Sequence, residues 1–445
     1  MIRRTGLLLL ALFLLMPYPR AQGGVLTMEG AVDLARKHHP RIREFRERTG
    51  AQAHRVDSGK APFRPEVDAT YTYQRRENVF SFFQTQDSST FTAELSYNLF
   101  RGFSDRNTLD AARATLSAAR YEETAAVADV VLGAKQAYIE LLRARKNLET
   151  AKESVTLLER QRRDAEAFYK AGLTAKNEYL QVEVELASAR QDLLRAERDV
   201  SVARKGLERA VGTPLPAETV PAEIGAPDPG PLEEAALSKR MMENRSEIRY
   251  LEAQRSARQF TRESIRGGYL PAIDLSISHS RFGETFAFEG LPDPLFDSDT
   301  VGKVEMTWSL FDGFRDRNDI LAEEAEIRAL SERIRDTQES LALQLATAVE
   351  DYRVAAGRIA LAEKAVEQAE ENYRVTENRF RERVATTADL LDARVFLTRA
   401  RNDATNARYD LARAAAVIER VVEGPIGSAP GAAPPPGAAP PAEGR

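Results

Sequence analysis

The sequence predicts a mainly helical chain with a small β part, one structural plan written twice. Three observations predict it. Proline is absent from residues 66–213 and 295–424, spans of 148 and 130 residues in a chain of 445, and proline is what breaks helix interiors. The segment Glu94-Leu-Ser-Tyr-Asn-Leu-Phe-Arg-Gly-Phe-Ser-Asp-Arg-Asn107 recurs as Glu305-Met-Thr-Trp-Ser-Leu-Phe-Asp-Gly-Phe-Arg-Asp-Arg-Asn318, with 8 of 14 positions identical. Each half also carries two short runs in which apolar and polar residues alternate, the period of a strand with one apolar face.

The repeat sets the order of elements. The offset is 211 around residues 94–107 and again where 173–186 matches 384–397, but 206 upstream, where Ile42 and Pro65 match Ile248 and Pro271. A period near 210 is far longer than a solenoid unit, so this is a two-fold duplication. The first repeat is predicted over 24–213, with helices at 28–59, 104–170 and 174–211 and strands at 66–75 and 90–100. The second covers 232–423, with helices at 232–267, 315–381 and 386–423 and strands at 272–281 and 302–311. Residues 214–231 hold six prolines and read as a linker. Each helix of about 67 residues would span roughly 100 Å if unbroken. The Pro/Ala/Gly-rich residues 424–445 are predicted to be disordered.

The N-terminus is a separate object. Arg3 and Arg4 precede ten apolar residues, Leu7 to Met16, then prolines and small residues. That order predicts a secretory signal peptide over 1–23. The apolar run is too short for a bilayer helix, which needs about 20 residues. With no Cys, a disulfide framework, a thiolate metal site and an acylated N-terminal Cys are excluded. A net charge of −5 with interspersed signs gives no argument for nucleic acid.

Long helices rich in Ala, Arg and Glu have narrow apolar stripes and should pack side by side as coiled coils. The strands pose a different problem. Val67, Ala69, Tyr71 and Tyr73 alternate with polar residues, as do Phe91, Ala93, Leu95 and Tyr97, then Ile273, Leu275 and Ile277, then Val304, Met306, Trp308 and Leu310. Apolar on one face and polar on the other suits a membrane barrel with a wet lumen. Four strands cannot close one, and an open edge in lipid is prohibitive. Either the strands lie in a soluble sandwich or several chains pool them.

The order of these parts resembles the TolC-like outer-membrane factor family over residues 25–424. Pro65 and Pro271 sit where that family enters its barrel, as in Tyr269-Leu-Pro-Ala-Ile-Asp274. Trp308 to Arg315 and Tyr97 to Phe103 are similar to its strand-to-helix exits, turned by Gly102 and Gly313. Phe168-Tyr-Lys-Ala-Gly-Leu173 resembles its periplasmic tip, and Thr387-Ala-Asp-Leu-Leu-Asp-Ala-Arg394 its channel-lining segment. The resemblance implies a homotrimer whose twelve strands form one outer-membrane β-barrel, continued by a periplasmic α-helical barrel. It implies an exit duct for an efflux pump or type I secretion system. The expected partners are outer-membrane lipid, a periplasmic adaptor (membrane fusion) protein and an inner-membrane transporter of RND, ABC or MFS type. No cofactor and no catalysis are expected.

Asp389 and Asp392 are three apart and share a helix face. Spacing alone reads as a solvated face; the resemblance makes them a pore constriction, with Glu178 in the corresponding place of the first repeat. Such a ring would favour cations. Gly172 suits a left-handed tip turn, whereas Arg383 stands where the family usually has Gly, and Ala385 where some members carry the Arg that holds the tip closed. Tyr71, Tyr73, Phe91, Tyr97 and Trp308 are candidates for an aromatic belt at the membrane interface, against packing in a soluble sheet. Phe80, Phe82 and Phe83 either cap the outer mouth or contact lipid. His38, His39, His54 and His279 lack partners at ligand spacing, so no metal site is expected. The alternative to a duct is a periplasmic coiled-coil scaffold; no nucleophile-base pair or phosphate loop supports an enzyme.

Overall fold

The computed structural model describes residues 24–77, 86–225, 232–287 and 297–426. The expected signal segment 1–23, Phe80, Phe82 and Phe83, and nearly all of the tail lie outside the described residues.

In chain order the elements are β1 (Val25–Leu26), α1 (Met28–His38), α2 (Pro40–Ser58), β2 (Glu66–Arg75), β3 (Asp87–Arg101), α3 (Ser104–Lys170), α4 (Lys176–Val211), β4 (Val220–Pro221), α5 (Glu234–Asn244), α6 (Ser246–Arg266), β5 (Ala272–Gly283), β6 (Ser298–Thr307), α7 (Arg315–Arg381) and α8 (Thr387–Val422). They form two compact units, neither of which is a sequence repeat. One holds 24–43, 127–225, 232–241 and 344–426; the other holds 44–77, 86–126, 242–287 and 297–343. Each unit takes chain from both repeats.

Three expectations are corrected. The helix expected over 28–59 is two helices: His39 is extended (φ −66°, ψ 127°) because a residue before proline avoids the α region, and Pro40 then opens α2, where a missing N–H costs nothing. The helix expected over 232–267 breaks at Arg245 (φ −61°, ψ 118°), the position 206 residues after His39, although no proline follows. The strand expected over 302–311 is β6, Ser298–Thr307. Thr307 pairs with Ala272, the first residue of β5, so the next backbone groups have no strand beside them.

In the unit built on 44–126 and 242–343, the strands form one antiparallel sheet in the order β2-β3-β5-β6. Tyr71 lies opposite Phe91, Leu95 opposite Ile277, and Leu275 opposite Val304. These pairs stack apolar residues on one face, and Asp68–Glu94, Ser96–Ser276 and Ser276–Lys303 fall on the other. A register that matches parity across three ladders is what one-sided burial demands. A bulge at Leu99 lets Phe100 rejoin the apolar face opposite Ile273. Among the described residues, both outer edges, on β2 and β6, are open.

The other unit is helical around Tyr138, Leu142, Leu207 and Val211, with a second cluster of Val32, Ala35, Ile42 and Ala134. β4, inside the expected linker, pairs in parallel with β1. The hydroxyl of the fully buried Tyr138 lies 2.7 Å from the Leu26 carbonyl and 2.6 Å from that of Ala222, and so shares its one proton between the two segments joined there. Gly212 ends α4 in the left-handed region (φ 75°), where a Cβ would lie 2.7 Å from His39 Cα. Only glycine fits that approach.

Candidate functional site

The strand face comes first. β2 and β5 are each entered through a single 3₁₀ turn, Ala61–Phe63 and Gly267–Tyr269, followed by Pro65 and Pro271, whose missing N–H stops the turn from propagating. The exits are tighter than the sequence suggests. Gly102 and Phe103 are both left-handed (φ 60° and 64°), as are Gly313 and Phe314 (φ 73° and 65°). Phe103 stands edge-on to Phe100 at 5.3 Å, and Phe314 to Phe311 at 5.3 Å. These contacts hold a bulky residue in a region that normally favours glycine. The signal was present in the twice-repeated Phe-x-Gly-Phe, which the sequence reading assigned to the glycines alone.

The five belt candidates are spread along the strands. Phe91 pairs with Tyr71; the Tyr71 hydroxyl donates to the Phe286 carbonyl, and Tyr73 donates to Asp87 at 2.8 Å. The Phe286 ring stands edge-on to both tyrosines. Tyr97 lies six residues further along β3. Trp308, ten residues beyond Ser298 at the Phe91 level, donates its indole N–H to the Tyr269 carbonyl at 3.2 Å.

The helix turns form a separate cluster. Gly172 is left-handed (φ 70°) between α3 and α4, with Leu173 N–H donating to the Phe168 carbonyl at 2.9 Å. Arg383 takes the same conformation (φ 62°) between α7 and α8, and Val384 N–H donates to Arg379 O at 2.8 Å. The Arg383 guanidinium lies 6.0 Å from the Phe168 ring centre, and Phe168 is edge-on to Phe380 at 6.4 Å.

Asp389 closes a capping box: it accepts the Thr386 backbone N–H at 2.9 Å and the hydroxyl at 2.8 Å, while its own N–H donates to Thr386 Oγ1 at 3.2 Å. The Thr386 N–H, and then its hydroxyl, hold the Asp389 carboxyl below the usual carboxylate range. Asp392 is exposed on the same face. Glu178 is engaged differently: it accepts the hydroxyl of the buried Thr387 at 2.9 Å. α4 starts at Ala175, which has no capping side chain, so Glu178 serves the other repeat's helix while Asp389 serves its own.

Arg394 was quoted in the sequence motif but assigned no role. It is 5 % exposed, on the same helix stripe as Leu390, Leu391 and Leu397. Its guanidinium donates to Ser154 at 2.7 Å and Glu185 at 2.9 Å. Its spacing from Leu390 and Leu397, four and three residues, was the available signal for a buried position.

A two-faced sheet with open edges, in a chain of very long helices, defines the class of outer-membrane channel proteins. The chain belongs to the outer membrane efflux protein family, whose profile matches residues 31–213 and 237–422. Protein CyaE of Bordetella pertussis is 26 % identical over 346 residues, covering 76 % of this chain and 72 % of CyaE. Outer membrane efflux protein BepC of Brucella suis is 23 % identical over 395 residues, 87 % of this chain and 85 % of BepC. A crystal structure of the outer membrane protein VceC from Vibrio cholerae shares the fold with a TM-score of 0.75 at 20 % identity, covering 90 % of this chain and 96 % of VceC.

Proposed function

We infer that the protein is the outer-membrane exit duct of a tripartite efflux pump or type I secretion system. Three copies pool twelve strands into one barrel, and their long helices line a periplasmic tunnel. An inner-membrane transporter supplies the energy, a periplasmic adaptor joins it to the duct, and the duct itself performs no catalysis. One observation carries this reading: a sheet whose two edges are open and whose apolar face stays exposed, with Val67 at 74 %, Val304 at 69 % and Met306 at 66 %. A soluble scaffold would have to cover that face, whereas lipid covers it at no further cost.

Within the duct, Asp389, Asp392 and Glu178 form the cation-favouring constriction. Asp392 supplies the free carboxylates, and Asp389 and Glu178 set the helix starts that carry them. Tyr71, Tyr73 and Phe91 toward one end of the strands and Tyr97 and Trp308 toward the other serve the two membrane interfaces. Native mass measurement in detergent, followed by planar-bilayer recording, tests the reading. Three chains per particle and a conductance with cation preference are expected; a monomer that stays in solution without detergent would overturn it.

A further inference from the structure

Charge is sorted between the two faces of the four-stranded sheet. Of the acidic residues in its strands, Glu66, Asp68, Glu94, Asp274, Asp299 and Glu305 fall on the polar face and only Asp87 on the apolar one. Of the basic residues, Arg101 and Lys303 fall on the polar face, and Arg75 and Arg281 on the apolar one. We propose that Arg75 and Arg281, with the aromatic cluster of Tyr71, Tyr73, Phe91 and Phe286 beside them, form a binding site for a phosphorylated glycolipid of the outer leaflet. This rests on the outer-membrane duct proposed above and names the lipid that one end of its barrel takes.

Position selects the leaflet. Arg75 ends β2, and Arg281 lies two residues before the end of β5 at Gly283, so both sit at the end of the sheet remote from the long helices. Along the apolar face of β2 the residues run Val67, Ala69, Tyr71, Tyr73, Arg75; along β5 they run Ile273, Leu275, Ile277, His279, Arg281. Both strands pass from aliphatic through ring-bearing to basic side chains, the order met on leaving hydrocarbon for headgroups. An arginine on a lipid-facing position is costly at the bilayer midplane and tolerated at the interface.

Neither arginine is taken up by its neighbouring acid. Arg75 Nε lies 3.8 Å from Asp87 Oδ1, and Arg281 Nη2 lies 3.9 Å from Asp297 Oδ2, both beyond hydrogen-bond length. Asp87 accepts the Tyr73 hydroxyl at 2.8 Å instead. Both guanidinium side chains are exposed, and their planar forks match phosphate oxygens two at a time. Arg75 lies opposite Asp87 and Arg281 opposite Phe91, on either side of β3. Four residues of strand and two strand spacings separate them, about 13 Å along and about 10 Å across. Two arginines converge over that gap on a headgroup carrying two phosphates. A phospholipid brings one phosphate and would engage one arginine, so the pair favours a glycolipid with a phosphate at each end of its sugars.

The chain leaving β5 completes the surface. It turns back onto the apolar face and crosses β3, so that the Phe286 ring stands edge-on to Tyr71 and Tyr73 of β2 at 5.8 and 5.5 Å. The Tyr71 hydroxyl donates to the Phe286 carbonyl, and the Ser89 hydroxyl donates to the Ala287 carbonyl at 3.4 Å. This crossing buries Ser89 to 1 % exposure yet leaves Phe286 at 72 %. A small polar residue is covered while a large apolar ring is presented, at the same level as the two arginines. A ring so placed fits a partner that is charged on one side and apolar on the other.

Full-length protein, stripped of co-purified lipid in detergent, is mixed with bisphosphoryl lipid A, monophosphoryl lipid A or phosphatidylglycerol, and retained lipid is counted by native mass measurement. Bisphosphoryl lipid A is expected to be retained roughly tenfold above the other two, about the gain of one added charge-assisted contact. Arg75→Gln/Arg281→Gln should abolish that difference while keeping the oligomeric mass. Arg101→Gln/Lys303→Gln, the same charge change on the polar face, should leave it intact. Equal retention of the three lipids by the unaltered protein overturns the site whatever the variants do, as does equal loss in the two double variants; the duct reading then stands. A monomer that stays in solution without detergent overturns both.

Discussion

Thr387, the first residue of α8, gives its hydroxyl to Glu178 of α4 at 2.9 Å, so the two repeats are joined at equivalent helix starts. Of the three residues proposed for the constriction, Glu178 is the one whose carboxylate is engaged by the other repeat's helix. Asp392→Ala is expected to lower cation preference measurably in bilayer recordings. Glu178→Ala should shift the reversal potential less and loosen the helix start more. An unchanged reversal potential in Asp389→Ala/Asp392→Ala would remove the constriction assignment.

The capping box gives a pH dependence. Asp389 has its carboxyl lowered by bonds from Thr386, so its contribution is fully present above the unfolded value near 4 and is lost as pH falls through the lower folded value. Amide hydrogen exchange at 387–390 should accelerate under strong acid, and Asp389→Asn should show that faster exchange already at neutral pH.

At the other end of the pH scale, burial pushes the Tyr138 hydroxyl up to about 12. Its bonds to Leu26 and Ala222 persist below pH 10 and are lost as pH rises toward 12, because folding disfavours the phenolate. Tyr138→Phe removes the hydroxyl proton from the Ala222 carbonyl, while Leu26 O keeps the Ala222 N–H at 2.8 Å, and should cost about 1 kcal/mol. Limited proteolysis of the N-terminal strand would read both effects.

Arg394 is nearly enclosed, while its partner Glu185 is 38 % exposed in its side chain. Arg394→Ala removes the packed stem as well as both bonds and should cost about 2 kcal/mol. Arg394→Met keeps the stem and should retain most of the melting temperature, since water can reach Glu185. Equal losses in the two variants would show that the charge, not the stem, dominates.

Gly102 and Gly172 separate two uses of glycine. Both have positive φ, but only Gly102 faces a backbone atom at 2.1 Å from an added Cβ. Gly172→Ala should cost about 1 kcal/mol through conformation alone. Gly102→Ala forces backbone apart and should abolish membrane insertion, read as loss of the protein from outer-membrane fractions.

The duplication, the two-faced strands and the unbroken helices α3 and α7 were legible in the sequence because they follow from local chemistry: period-two alternation, proline placement and a repeated Phe-x-Gly-Phe. The break at His39 is legible too, through Pro40. The break at Arg245 had no such mark, since no proline follows it. Asp389 could be placed on a helix face by counting. That it caps its own helix while Glu178 reaches Thr387 depends on Ala175 and Thr386 starting equivalent helices differently, and on two helices 209 residues apart in sequence meeting. Local pattern needs only neighbours along the chain. The pairing of β1 with β4, the burial of Arg394 and the two units that cut across the repeats need distant segments in contact, and such contacts leave no periodic trace in a single sequence.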